Sequence, residues 1–427
     1  MSSKFSAADH NYYQATAHST PTHPVLHGDV MADVCVTGGG ISGCSTALHL
    51  AQRGYRVALL EAQHIGFGAS GRSGGQLLPG YSSGQGPLEA QLGKHVAKQL
   101  WDLSVEAVQL TRQLIAEHHI DCDLQDGHLD VAVTPRRAIE LRQYQQELLD
   151  RYAYPMQWLE RTELRAWLST DRYQAGLYDP QAPHAHPLNY TLGLAEAASR
   201  AGVAIYEHSP VLDIHGQSTL SIRTAQGRVS AKQVVLCCNA YVGSLSRPLA
   251  QRIMPVGTYI VATEPLGEER ITALIPHNVS VADTNFILDY FRRSADHRLL
   301  FGGRVSYSGR DFGDTAAATR KRMVQVFPQL SDTHIEYSWG GMLDITLNRA
   351  PDFGRTQNNI YYLQGFSGHG MALAGFAGKL VAETIAGQSE RFDLYARLQH
   401  RPFPGGRWLR TPALVLAMLW YRLRDLV

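Results

Sequence analysis

The chain has 427 residues, 44% hydrophobic and 18% charged, with 39 Lys and Arg against 38 Asp and Glu for a net charge of +1. That balance excludes a disordered chain and disfavours nucleic acid as a partner, and the length corresponds to two or three domains at roughly 100–200 residues each. The five cysteines (Cys35, Cys44, Cys122, Cys237, Cys238) form no C-x-x-C pair, so neither a disulfide framework nor a thiolate zinc site is expected, and no metal site is assigned.

Residues 1–30 are rich in His, Ser, Thr and Pro and read as an irregular arm. Their polar character suggests no secretory leader, and no apolar run is long enough for a membrane-spanning helix, so a cytoplasmic location is expected. The pattern sharpens at residues 33–37, a short apolar strand followed by Gly38, Gly40 and Gly43. Residues 44–51 then carry apolar side chains at helical spacing, and a second apolar strand, 56–60, ends at Glu61. A glycine-dense stretch covers 66–86. Spacing predicts helix over 87–120, strand over 124–133, helix over 135–170, a Pro/His-rich connector over 180–187 and helix over 188–200. Short strands are expected at 203–206, 211–214, 220–224 and 234–236, and strands dominate 253–305 around a short helix near 268–274. A last strand at 360–363 leads into Gly365, Gly368 and Gly370, then a helix from Met371 to about 385.

Gly38, Gly40 and Gly43 satisfy G-x-G-x-x-G in the context that gives it meaning. The glycines allow a tight turn, close approach of a pyrophosphate and close packing of helix on strand. Ile41 and Ser42 open the helix, whose N-terminal dipole faces the phosphates. Glu61, 18 residues past Gly43, stands where a carboxylate binds ribose hydroxyls, so the dinucleotide is FAD or NAD rather than NADP.

Residues 66–76 (Gly66, Phe67, Gly68, Ala69, Ser70, Gly71, Arg72, Ser73, Gly74, Gly75, Gln76) resemble the flavin-facing loop of the D-amino-acid-oxidase-like flavoprotein superfamily. Within it the chain is most similar to the gamma-glutamylputrescine oxidoreductase branch. The resemblance continues through Asp121, Cys122 and Asp123, through His186, Pro187, Leu188 and Asn189, through Gly365–Gly370 and from Pro402 onwards, covering nearly the whole chain. It implies FAD as cofactor and an α/β fold: a Rossmann-like FAD-binding domain (31–94, 186–250 and 341–400) with an α+β substrate domain built on a mixed β-sheet (95–185 and 251–340). Expected FAD contacts are Gly38, Gly40, Ile41, Ser42, Gly43, Glu61, Ala62, Ser70, Gly71, Arg72, Ser73, Gly74, Gly75, Gln76, Leu77, Val211, Asn239, Gly341, Gly368, His369, Gly370 and Met371. Family members often carry Ala-Thr-Gly where this chain has Cys237, Cys238 and Asn239; the paired cysteines read as small buried side chains.

The resemblance implies oxidation of a C–N bond in an amine or amino acid, with hydride passing to flavin N5. Such a reaction asks the protein mainly to position and desolvate a neutral amine. Tyr259, Tyr290 and Trp339 are candidate aromatic walls, and Tyr259, Trp339, His369 and Arg349 form the candidate catalytic set. An amino-acid substrate would need a cation for its carboxylate, for which Arg292, Arg304 and Arg349 are candidates. Sarcosine-oxidase relatives carry a lysine where this chain has Leu373, which speaks against sarcosine. No lysine occurs between Lys232 and Lys321, whereas those relatives use a lysine from that region to activate oxygen; an acceptor other than oxygen is therefore favoured. In the C-terminal segment 401–427, residues 411–424 hold an apolar stretch flanked by arginines and tryptophans. It is too short to span a bilayer and suited either to the membrane surface, at the cytoplasmic face of the inner membrane, or to docking on the protein. The leading expectation is a gamma-glutamylputrescine-like amine as substrate, with oxygen or a membrane quinone as acceptor. The alternatives are a membrane-attached L-pipecolate or proline dehydrogenase passing electrons to a quinone and, from other classes, a tRNA-modifying flavoprotein or a flavin-binding protein without turnover.

Overall fold

The computed structural model describes residues 11–285, 287–306, 315–356 and 359–404. Val34–Thr37 and Val57–Leu60 are buried at every position, the mark of parallel strands covered on both faces. With Gln233–Leu236, Ala204–Tyr206, Ile360–Gln364 and Asp352–Arg355 they form a six-stranded sheet, parallel except for the antiparallel edge strand Asp352–Arg355. Alternation of side chains divides its two faces. Val34, Val36, Val57 and Leu59 join the core beneath the helices, while Cys35, Ala58 and Leu60 pack against Leu220, Ile222 and Val229. Those partners come from a four-stranded sheet of Gly28–Met31, Asp213–Gly216, Leu220–Arg223 and Gly227–Ala231. On the helical face Ile41–Ala51 packs between Pro187–Arg200 and Leu373–Ile385. A Cβ on Gly378 would stand 2.6 Å from the Thr46 amide nitrogen, so the first and last of these helices touch backbone to backbone.

An eight-stranded mixed sheet forms the second layer system, in the order Ile335–Thr346, Ile253–Thr263, Leu299–Ser306, Tyr290–Arg293, Ser280–Asp283, Gln125–Ala132, Ala175–His184 and Gln157–Glu160. Ile260, Ala262, Leu300 and Trp339 face the core shared with the six-stranded sheet. Val261, Phe291 and Phe301 face the opposite way, onto a core shared with helices Glu268–Leu274 and Thr315–Val326. The seam between the two systems lies against the Trp339 face.

Several elements differ from their sequence-based expectations for local reasons. Gly93, at φ +82°, divides the first expected helix into Gln85–Leu92 and Lys94–His118. The second stops at Tyr152 and is followed by the strand Gln157–Glu160. The Pro/His connector belongs instead to the strand Ala175–His184; Pro180 is tolerated there because the neighbouring strand ends opposite Tyr178, leaving no ladder partner for the missing N–H. The boundary expected at 340/341 falls inside the strand Ile335–Thr346. Within the arm, Asn11 caps a short helix, Tyr12–Ala15, and both Tyr12 and Tyr13 are buried. Among the described residues no helix is long and apolar enough to cross a membrane. The 411–424 segment lies outside the described residues.

His186 caps the helix Pro187–Arg200, its Nδ1 accepting the Asn189 N–H at 3.1 Å. Burial, aided by the Arg292 charge, pushes its pKa down to about 3. Between that value and the ~6.5 of an unfolded histidine the unfolded chain binds the extra proton, so this group's stabilising contribution is present above ~6.5 and drains as pH falls. Replacing His186 with Asn, a good cap that does not titrate, therefore narrows the stability gap between wild type and variant by about 2 kcal/mol from pH 7 to pH 5. Denaturant melts of the two proteins at both pH values check this, and a constant gap would contradict it.

Candidate active site

The end of Val34–Thr37 and the start of Ile41–Ala51 build the first part of the site. Gly38 adopts φ +101°, and a Cβ there would lie 2.4 Å from the Cys237 carbonyl oxygen. A Cβ on Gly43 would sit 1.8 Å from the Gly38 oxygen, so the helix approaches the strand as closely as backbone permits. Gly40 at the N-cap has no side chain to close the helix end, and the Ile41 N–H donates to Ser70 Oγ at 3.0 Å. Ser42 is buried beside it. Glu61 accepts N–H bonds from Gly39 at 2.6 Å and Gln63 at 2.9 Å. Burial raises its pKa, against the opposing pull of those amides. Ala62 is exposed next to it. Val211 follows closely on Ser209, whose N–H donates to the Glu61 carbonyl, so both lie at the same end of the groove.

The loop after Val57–Leu60 reaches the seam. Gly71 packs on Gly66, where a Cβ would meet the Gly66 oxygen at 2.2 Å. Buried Arg72 donates to the carbonyls of Phe67 (2.8 Å) and Gly340 (2.9 Å), joining this loop to the large sheet. Trp339 Nε1 donates to the Arg72 carbonyl at 3.0 Å, and Gly341 leaves room for the Arg72 side chain. Ser73 Oγ donates to Met371 Sδ at 3.0 Å. Gly74 is bordered by Gln76 and by the Tyr290 ring, and Gly75 backs onto the Ala185 carbonyl. The buried Leu77 donates its N–H to Pro183.

The third part is the turn into the helix Leu373–Ile385. Asp344, buried on the large sheet, accepts the Gly365 N–H through its carboxylate, and its own carbonyl accepts the Ser367 N–H at 3.1 Å. Burial pushes this carboxyl up to about 7 against the restraint of the Gly365, Asp344 and Phe366 amides. Gly368 is exposed and lies beside Leu343, Gly370 packs on Phe366, and Met371 is buried. His369 donates through Nε2 to the Pro79 carbonyl at 3.0 Å, leaving Nδ1 as the acceptor of a neutral ring. Burial lowers its pKa.

The proposed aromatic walls separate. Tyr259 pairs with Gly340 and Ile260 pairs with Trp339, so Tyr259 and Trp339 point to opposite faces of the sheet and cannot form one wall. Trp339 is a core side chain, 1% exposed. Tyr290 does face the seam: its ring lies across Gly302 and against Gly74, and its hydroxyl is hydrogen-bonded to Thr258. Arg349 stands on the turn leaving Ile335–Thr346, at φ +58°. Arg292 points inward and is engaged by backbone carbonyls, and the side chain of Arg304 lies outside the described part. Asp344 and Thr258 were not anticipated; a carboxylate at an alternate strand position was the one available hint of the former.

A dinucleotide fits this groove on grounds internal to the protein. Glycine positions that a Cβ would fill line its turn, and two polar atoms at its ends, Asn239 Oδ1 and Gln76 Nε2, are buried without a protein partner. Asn239 follows Cys237, which touches Gly38, and Gln76 belongs to the loop at the seam. Among the described residues no cluster of three His, Cys, Asp or Glu could hold a metal ion. A Rossmann-like domain carrying this groove, closed by a mixed-sheet domain, defines a flavin-dependent oxidoreductase.

Comparison with known proteins agrees. The FAD dependent oxidoreductase family model (DAO) matches residues 33–384, and the chain belongs to that family. It is 42% identical to the gamma-glutamylputrescine oxidoreductase of Escherichia coli (strain K12), covering 97% of this chain and 98% of that protein. Among solved structures, glycine oxidase from Geobacillus kaustophilus superposes with a TM-score of 0.72 at 23% identity, covering 84% of this chain and 95% of that one. L-proline dehydrogenase from P. horikoshii also gives 0.72, at 21% identity over 87% of this chain and 98% of that one. At those identities the two structures speak for the fold.

Glu61→Gln removes the charge that holds Gly39 and that the fingerprint directs at the ribose. Its FAD dissociation constant rises about tenfold, the size of one charge-assisted hydrogen bond. Fluorescence titration of apoprotein with FAD measures it; an unchanged constant would contradict the placement of the adenosine end.

Proposed function

We propose that this FAD-dependent oxidoreductase oxidises the C–N bond of a primary amine at the end of a gamma-glutamylputrescine-like chain. The near-full-length match to the Escherichia coli enzyme carries the reading. The chemistry of the seam supports it. In an α-amino acid the carboxylate adjoins the reacting carbon and requires a cation beside the flavin. Arg292, the strand arginine nearest the loop, donates to Gly74, Ala185 and Arg293 carbonyls instead. Tyr290 and Thr258 offer a neutral wall, suited to an uncharged amine.

FAD would be held by the 38–43 turn, Glu61, the 70–77 loop and the 368–371 turn, and it supplies a hydride acceptor. The substrate's α C–H bond breaks with its electron pair leaving as hydride, and the nitrogen lone pair forms the C=N bond; hydrolysis of the imine gives an aldehyde and ammonia. The protein's part is to admit the neutral amine, align its α-carbon and exclude water. Tyr290 and Thr258 form one wall, the substrate enters as the free amine with its ammonium proton left to solvent, and His369 Nδ1 is a candidate acceptor for an N–H of that amine. Burial lowers the pKa of its ring, which favours the uncharged form. The imino-acid dehydrogenase alternative loses Arg292 as a carboxylate ligand, and its membrane segment lies outside the described residues. The absence of a lysine between Lys232 and Lys321 favours an acceptor other than oxygen.

Turnover of gamma-glutamylputrescine should yield aldehyde and ammonia in equal amounts, quantified by mass spectrometry and an ammonia assay. The kcat/KM should rise with pH towards the ~10 of an alkyl ammonium, because the free amine is the reactive form. No consumption of that amine, with turnover of L-proline or L-pipecolate, would overturn the reading.

A further inference from the structure

Residues 186–189 do more than cap a helix: they receive the N-terminal arm. His186 Nδ1 accepts from Asn189, so Nε2 carries the proton and donates to Thr16 Oγ1 at 3.1 Å, which in turn donates to the Tyr12 carbonyl at 2.8 Å. Asn189 Oδ1 accepts the His18 N–H at 3.2 Å. Across the seam, the Tyr12 hydroxyl donates to Asp296 at 2.6 Å. The arm thus grips both sheet systems.

Its inner surface meets the 71–75 loop from behind. Asn11 Nδ2 donates to the Gly71 carbonyl at 3.4 Å. The Tyr13 ring packs edge-on against Trp339, centroids 5.2 Å apart, and Trp339 holds the Arg72 carbonyl. Arg292 Nη2 donates to the Tyr13 hydroxyl at 3.3 Å and to Ala185 at 3.0 Å, while its Nε holds the Gly74 carbonyl at 2.7 Å. In a trans peptide the N–H points opposite to the C=O. Tethering the Arg72 and Gly74 carbonyls therefore turns the Ser73 and Gly75 amides away from the arm.

We propose that the arm, residues 11–18, is a working part of the flavin site, with Tyr13 and Arg292 as positioning residues that set how the 71–75 loop presents its amides to the cofactor. Tyr13, fully buried, supplies the oxygen that completes the guanidinium's partners. A lysine at 292 could not reach the same set of oxygens, since one ammonium lacks the planar fork. The inference rests on the FAD site and is independent of which amine is oxidised.

The test uses full-length holoenzyme and three variants: Tyr13→Phe, which removes one hydroxyl; Arg292→Lys; and, as a control on the helix Thr315–Val326 that packs on the opposite face of the large sheet, Arg322→Lys, which disturbs the half-buried pair with Asp289. The FAD dissociation constant of each apoprotein, the visible flavin spectrum of each holoenzyme and each melting temperature are measured. Arg292→Lys should raise the constant about tenfold and Tyr13→Phe about threefold, both with an altered flavin spectrum. Arg322→Lys should lower the melting temperature and leave constant and spectrum alone. Wild-type constant and spectrum in Arg292→Lys would overturn the proposal. So would weakening that tracks melting temperature equally in all three variants. If Arg292→Lys does not fold, Tyr13→Phe decides, and wild-type behaviour in it overturns the proposal. None of these readouts involves an amine, so they fail or succeed separately from the substrate reading.

Discussion

A buried guanidinium must find oxygens for its donors or the charge becomes prohibitive. Arg292 finds them in four places: the 66–76 loop at Gly74, Ala185 just past the strand Ala175–His184, its own strand at Arg293 and the arm at Tyr13. These segments are far apart in the chain and belong to both sheet systems. One side chain therefore fixes the position of the large sheet, the loop and the arm relative to one another. The same engagement occupies the guanidinium's donors within the protein.

Other ties across the seam follow the same principle of a side chain on one sheet satisfying backbone on the other. Arg72 reaches from the loop to the Gly340 carbonyl, and Asp344 reaches from the large sheet to the Gly365 amide. Each lies beside a segment that the fingerprint or the family resemblance directs at the flavin. Buried hydrogen-bonded charges of this kind are costly to break one partner at a time, which gives the site rigidity without additional apolar area. The helix Leu373–Ile385 carries the turn from one side, and the backbone contact at Gly378 seats it on the helix that the dinucleotide fingerprint opens.

What could be read from the sequence was what local spacing encodes. Gly38, Gly40, Gly43 and Glu61 fall within one strand–helix–strand unit, so each residue's place follows from the helix and strand repeats around it. Residues 34–37 and 57–60, buried at every position, are short apolar runs in the sequence for the same reason. Tyr259 and Trp339 are both candidates for aromatic walls because both are aromatic and both fall in strand-like segments. Their faces depend on inter-strand register, which periodicity within either strand does not specify. Sequence alone leaves Arg292 as one of three candidate carboxylate ligands, because its partner Gly74 lies 218 residues away. Tyr12 and Tyr13 stood in a polar, proline-rich stretch where two aromatics carry no periodic signal, yet both are buried. The motif at 186–189 was recognisable as a motif, but its partner, the arm, was visible only in three dimensions.

The substrate proposed for this seam is an amine whose reacting carbon bears no carboxylate. The most direct measurement is anaerobic mixing of the purified holoenzyme with gamma-glutamylputrescine and, separately, with L-pipecolate, following the flavin's visible absorbance. Rapid bleaching by gamma-glutamylputrescine, with little or none by L-pipecolate, is the predicted result. Bleaching by L-pipecolate alone would contradict the account and require a cation at the flavin other than Arg292.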